Sequence, residues 1–564
     1  MVINGTGDNA GRETVSLLDT GSALQAAAGD AVPPEFITSP VGAAYSFVAP
    51  TNAPVAATGV EVAALAGDSK WTSIDPASGK TIVTYSFADP HTSVYAYASA
   101  ATAFPSTLAA FSDADKALTR TVLAHIEAVC GVHFVEVPDN AAECGVLRYA
   151  YSQQPNAMGL AGYTFYPSSD PSGGDVWIGA NQAQAGWDFF RPDLILHETL
   201  HAIGLKHPFA EGTVLPTPEN IIPNTVMSYS PLVGSNPGAM SSYPAEPMAL
   251  DIAALQFLYG TTSTASGDTR YDLAAPDFQS GFRTIWDAGG SDVLDAGGLA
   301  HGVALDLHAN AHSDIGVSVR ASGTVGGIAE ATTYTATLTI AAGVVIENAI
   351  GTSFADVLIG NDADNWLQGG AGNDLLIGGG GNNILDGGPG IDTASYAAPA
   401  ASYQLAPTAT GRALTSSGTG ATDSLLGIER LSFSDGSLAL DLNGAAGEAA
   451  RVLAAVFGPA ELADPHAVGT AIRLLDQGLS VPELAQQAID LALGTQAPEG
   501  MVVDLLYTNA VGAPPSVPEH DKYLAWLLDT SYSEGTLTQY AADSPLIAAR
   551  IDLAGLAAHG LAYV

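Results

Sequence analysis

HETLHAIGLKH, residues 197–207, is the stretch on which the reading of this 564-residue chain turns. On a helix, His197 and His201 stand four residues apart, so both imidazoles leave one face and can share a metal ion. Glu198 follows the first of them, placed to take a proton from an attacking water. Gly204 can adopt positive φ, which ends the helix and turns the chain. That turn brings His207 toward the same ion from another direction. Three neutral imidazoles leave a fourth zinc position open, the arrangement of a catalytic site and not of a closed structural one.

Twenty residues past His207 lies Met227, in NTVMSYS, with Tyr229 two places on. This segment resembles the Met-turn beneath the zinc of metzincins. Together the two segments resemble the serralysin branch, secreted bacterial zinc endopeptidases. The resemblance implies an α+β metzincin catalytic domain with zinc held by His197, His201 and His207, and Tyr229 as an additional, displaceable ligand. Glu198 and Tyr229 are then the catalytic pair, and Met227 is structural. The family usually carries Trp after this tyrosine, where Ser230 stands here.

Composition narrows the alternatives. A chain this long exceeds one core and is multidomain. Its 58 acidic residues face only 17 basic ones, a formal charge of −41. Phosphate backbones and anionic membranes repel such a surface, so nucleic-acid binding is not expected. Divalent cations are the natural partners where Asp recurs at regular spacing. No basic segment followed by an apolar core opens the sequence, and no apolar run reaches the length of a membrane span. Cys130 and Cys144 are too few for a disulfide framework, and two thiols or a single bridge remain open.

Residues 1–60, rich in Ala, Gly, Pro, Thr and Val, read as a flexible leader or pro-segment. A catalytic domain is expected over 61–262. TIVTYSFADP reads as its first strand, and SDADKALTRTVLAHIEAVCG has apolar residues at helical spacing (Leu118, Val122, Leu123, Ile126). HFVEVPD reads as a strand. GGDVWIGANQ, just before the zinc motif, reads as another. By resemblance its Val176, Trp177, Ile178 and Gly179 form the sheet-edge strand along which substrate is held. DIAALQFLYG resembles the helix that closes the family's catalytic domain.

From Gly351 run five nonapeptides: GTSFADVLI, GNDADNWLQ, GGAGNDLLI, GGGGNNILD and GGPGIDTAS. They follow the calcium-binding parallel β-roll template, which places a β-roll (RTX) domain over 263–440. Leu358, Leu367, Leu376 and Leu385 fill the interior. One coil takes two repeats, so Asp356, Asp374 and Asp392 stack on one side, and Asn365 and Asn383 on the other. TIWDAGGSDVLDAGG and ASGDT resemble serralysin segments that begin the roll. That resemblance places further calcium ligands at Ala265, Gly267, Thr269, Asp287, Gly289, Gly290 and Asp292, and GVVIENAIG adds Glu347. Calcium is expected to order along the aspartate stack. The asparagine side is expected to be weak or vacant, with Asp362 or Asp386 as partial compensation.

Beyond Leu440 the sequence turns to amphipathic helices, an all-α domain over 441–564. It resembles a helical domain appended to secreted and surface-layer-associated bacterial proteins, and it is expected to carry a secretion signal. The implied protein is a secreted, calcium-stabilised zinc endopeptidase acting on protein or peptide substrates and exported by a type I secretion apparatus. The rival is a surface-layer-associated or adhesive protein attaching through roll and tail. Casein digestion with and without a chelator separates them: chelator-sensitive cleavage is expected, and none at all would leave the adhesin.

Overall fold

The computed structural model describes residues 59–95, 104–210 and 212–564. The expected leader lies, except for its last two residues, outside them. The chain forms two compact units: residues up to Asp292 together with Leu307–Ile346, and Val293–Asp306 together with Glu347–Val564.

In the first unit, a five-stranded sheet runs in the order Val132–Glu136, Thr81–Phe87, Leu147–Ser152, Asp175–Gly179, Gly162–Thr164. Its first four strands are parallel, and Gly162–Thr164 pairs antiparallel with Asp175–Gly179. The helix Asp113–Val129 begins where Ser112 accepts the N–H of Asp115, and Asp113 and Asp115 suit the positive end of its dipole. Arg191–Ala202 forms the helix of the metal motif. Nearly all its residues are buried, including Leu194, Ile195, Leu196 and Leu200. It packs on the helix Asp113–Val129 and on the strands Gly162–Thr164 and Asp175–Gly179. Trp71 Nε1 donates to the Ala202 carbonyl at 2.8 Å, tying down the end of the helix.

One expectation is corrected here. Asp175–Gly179 is not the sheet edge: it is hydrogen-bonded on both sides, and Val176, Trp177 and Ile178 are fully buried. A strand with apolar side chains on both faces is the signature of the sheet interior. The last strand in the order is Gly162–Thr164. A long hairpin, His312–Val325 and Ile328–Ile340, was also not anticipated. Gly326 and Gly327, both at positive φ, make its two-residue turn. It pairs antiparallel with Ser235–Met240, just past the Met-turn segment.

The second unit holds the roll. Val357–Ile359, Leu375–Ile377 and Thr393–Ser395 pair in parallel at 18-residue spacing, and so do Trp366–Gln368 and Ile384–Asp386. Leu358, Leu367, Leu376 and Leu385 are fully buried between the two sheets, as the template demands. The helices follow as expected, from Ala445–Phe457 through Val517–Leu528, with the shorter Glu534–Ala542, Pro545–Arg550 and Leu553–His559 after them. They enclose an Ala- and Leu-rich core. Leu561–Tyr563 then pairs with Gly436–Ala439 at the end of a roll sheet. Buried Arg430 joins roll to helices through Asp441 and Asp476. Among the described residues no helix is long and apolar enough to cross a membrane. Cys130 and Cys144 are both free thiols, and burial pushes Cys130 up to about 12, which makes it unreactive.

Arg148 forms a bidentate pair with Asp139, at 2.9 and 2.6 Å, with both side chains buried. Its guanidinium also stacks 3.6 Å from the Tyr95 ring centroid. Arg148→Met strands a buried carboxylate and is expected to cost about 3–5 kcal/mol, read as a lower denaturation midpoint. A second change, Asp139→Asn, should recover part of that loss.

Candidate metal centre and calcium-binding turns

The three histidines of the motif meet in space. Nε2 of His207 lies 3.3 Å from Nε2 of His197 and 3.1 Å from that of His201. All three rings are buried. Gly204 makes this approach with φ at 103°; a Cβ there would fall 2.4 Å from the Ser69 carbonyl. His197 Nδ1 faces the Val226 carbonyl and His201 Nδ1 the Leu205 carbonyl, each at 2.7 Å. A nitrogen facing a carbonyl must carry the hydrogen, so both Nε2 atoms are bare. With His207 also bare at Nε2, lone pairs this close would repel one another without a cation among them. Burial pushes His197 down to about 4 and holds His201 and His207 well below the ordinary histidine range, so all three are neutral and able to ligate. The donor set fits zinc.

Tyr229 brings its hydroxyl 2.7 Å from His207 Nε2. Met227, two residues before it, is fully buried. The turn carrying them is held by Asp251, which accepts from Thr225 Oγ1 at 2.5 Å and from the Val226 and Met248 N–H groups at 2.9 Å. Glu198 is buried too. Its Oε2 accepts from Thr164 Oγ1 at 2.6 Å, while Oε1 has no hydrogen-bond partner. Burial raises its carboxyl to about 8, and a cation alongside lowers it again. Gly162 makes the space: a Cβ there would fall 2.3 Å from Glu198 Oε1.

The expected calcium ligands of the first unit also gather. Asp292 Oδ1 accepts the Thr269 N–H at 2.8 Å, and Gly267 accepts from Thr269 Oγ1 at 2.9 Å. Asp287 accepts from Gly289 N–H and from Tyr271 OH, and Ala265 accepts from Ala288 N–H. A Cβ on Gly290 would meet the Gly267 carbonyl, so the two segments touch backbone to backbone. In the roll, Asp374 and Asp392 each keep one buried carboxylate oxygen without a hydrogen-bond partner. Burial lifts both carboxyls to about 6. Oxygens left so are what calcium requires.

Comparison with known proteins agrees. Residues 350–384 and 359–394 match the family model of the RTX calcium-binding nonapeptide repeat. The chain is 30% identical over 293 residues to a serralysin of Photorhabdus laumondii, covering 47% of this chain and 56% of that one. Serralysin B of Dickeya chrysanthemi is 32% identical over 220 residues (35% and 42%). Metalloprotease AprA of Pseudomonas entomophila is 29% identical over 292 residues (46% and 56%). The chain is thus similar to serralysins over up to about half of its length. It spans about half the length of the curated relatives it matches.

Of the motif positions, the rings of His197, His201 and His207 and the Tyr229 hydroxyl meet in space, while Glu198 and Met227 are fully buried on the helix and turn that carry them. Glu347 lies in the second unit, where its carbonyl accepts from Asn365 Nδ2. Sequence reasoning missed Gly162, Thr164 and Asp251, which shape the site from outside the motif and carry no signature of their own. It also missed Asp423 and Glu429, which continue the two stacks of the roll beyond the repeats. Their signal was a spacing of 40 and 37 residues in place of 18, because the hairpin Tyr403–Pro407 and Arg412–Ser416 intervenes on the Asp423 side.

His201→Ala should weaken zinc binding by more than the roughly 10–100-fold that loss of an outer-shell partner costs. Tyr229→Phe should keep the ion, since three imidazoles remain. Metal content after dialysis checks both.

Proposed function

We propose that the chain is a secreted zinc endopeptidase of the metzincin class, with a calcium-stabilised roll. The observation that carries this reading is the convergence of three neutral Nε2 atoms beside a buried carboxylate with one unpartnered oxygen. His197, His201 and His207 would hold zinc, with Tyr229 beside them. When bound, zinc supplies Lewis acidity, polarising a peptide carbonyl and acidifying the water that attacks it.

The rest falls to the chain's own groups. Glu198 Oε1 takes the proton of the attacking water and passes it to the leaving nitrogen, while Thr164 steadies Oε2. Gly162 keeps the space that Oε1 needs. The Tyr229 hydroxyl turns to donate a hydrogen bond to the oxygen that gains charge. Desolvation at Glu198 favours uptake of the proton, which is what a general base must do.

Protein or peptide substrates and export through a type I apparatus belong to the same proposal. In calcium-poor cytoplasm the carboxylates stacked in the roll repel one another and oppose folding. Millimolar calcium outside would neutralise them and let the roll close.

Casein cleavage tests the reading. Glu198→Gln is expected to lower it at least about 100-fold with zinc content unchanged. Gly162→Ala should lower it as well, again with zinc retained, by pushing Glu198 aside. Full cleavage by Glu198→Gln would contradict the proposal.

A further inference from the structure

The two flanks of the roll share one backbone pattern and differ in what completes it. On the aspartate flank, Asp374 Oδ1 accepts the N–H of Asp356 and Asp392 Oδ1 that of Asp374, each at 2.8 Å. Glu429 Oε2 accepts the N–H of Asp392 at 2.9 Å, so the stack runs one step past the repeats. One oxygen of Asp374 and one of Asp392 then remain buried and unmatched. Both residues are almost fully buried, and a carboxylate oxygen left there demands a cation.

The other flank repeats the ladder with amides. Asn383 Oδ1 accepts the N–H of Asn365 at 2.9 Å, and Asp423 Oδ1 accepts that of Asn383 at 3.0 Å. Here the second polar atom of each side chain is a donor. Asn365 Nδ2 donates to the Glu347 carbonyl at 2.9 Å and to Asn361 Oδ1 at 3.1 Å. Asn383 Nδ2 donates to the Gly380 carbonyl and to Asp423 Oδ1, both at 2.9 Å. Tyr396 OH takes the remaining oxygen of Asp423 at 3.0 Å. The amide orientation is forced. Turning Asn383 over would set its NH2 against the N–H of Asn365 and its oxygen against the Gly380 carbonyl. No side-chain polar atom of Asn365, Asn383 or Asp423 is left unmatched. Asp362 is exposed, and neither it nor Asp386 is bonded to these asparagines.

We infer that the roll takes calcium along the aspartate flank alone, and that the NH2 groups of Asn365 and Asn383 replace the cation on the opposite flank. Each amide donates two hydrogen bonds to surrounding oxygens that a divalent ion would otherwise coordinate, and it presents hydrogens to any ion approaching. The asparagine flank is thus closed by the chain itself, without a metal. The inference rests on the calcium reading of the aspartate flank, and one variant tests that reading separately.

Calcium bound per chain, measured by equilibrium dialysis of the full-length protein at saturating calcium, decides it. Asp374→Ala should lose at least one ion; no loss would overturn the calcium reading itself. Asn383→Ala should bind as many ions as the unaltered protein while melting at lower temperature. A lost ion there would show that Asn383 is a ligand, and the inference would fail. The double change Asn365→Asp with Asn383→Asp should gain at least one ion. A folded double variant with no gain would also overturn it.

Discussion

The metal centre depends on keeping three imidazole lone pairs aimed at one point, and that aim is set by groups that never touch the ion. Carbonyls of Val226 and Leu205 fix which nitrogen of His197 and His201 carries hydrogen. Both carbonyls sit on turns, and both turns are held. Gly204 allows the chain to double back to Leu205 and His207. Asp251 secures the Thr225–Val226 backbone with a buried carboxylate that three donors surround. Because the helix Arg191–Ala202 is packed on every side, it has no freedom to retreat from the repulsion among its own ligands. The fold holds the site in the geometry that a cation would relieve, which is the sense in which it is preorganised.

The roll uses carboxylates under a different constraint. In the candidate metal centre a single carboxylate, Glu198, is fully buried, and the proposed function makes it the base. In the aspartate flank, Asp374 and Asp392 each satisfy one oxygen by backbone N–H while offering the other. The same ladder with asparagine needs no ion. One atom per side chain, oxygen or NH2, separates a calcium-dependent flank from a self-sufficient one.

Much of this was legible in the sequence because the chemistry is local. The four-residue spacing of His197 and His201 places two ligands on a helix face, and nine-residue periodicity sets interior leucines and flank residues without further information. Whatever depended on strand order was not legible. GGDVWIGANQ reads as a strand beside the metal motif, yet Val176–Trp177–Ile178 lies inside the sheet, because a short antiparallel strand, Gly162–Thr164, adds beyond it. Gly162 and Thr164 acquire their roles only from that pairing, which brings them against Glu198. The continuation of the stacks at Asp423 and Glu429 was hidden for a related reason. An inserted hairpin breaks the 18-residue phase while leaving the spatial stack intact.

The central claim is that His197, His201 and His207 jointly bind one zinc ion and leave it open to a further oxygen ligand. X-ray absorption at the zinc edge of the metal-loaded protein tests it most directly. Three imidazole nitrogens with additional oxygen are expected, all within about 2.0–2.2 Å. A shell with two or fewer imidazoles, or one containing sulfur at about 2.3 Å, would contradict it.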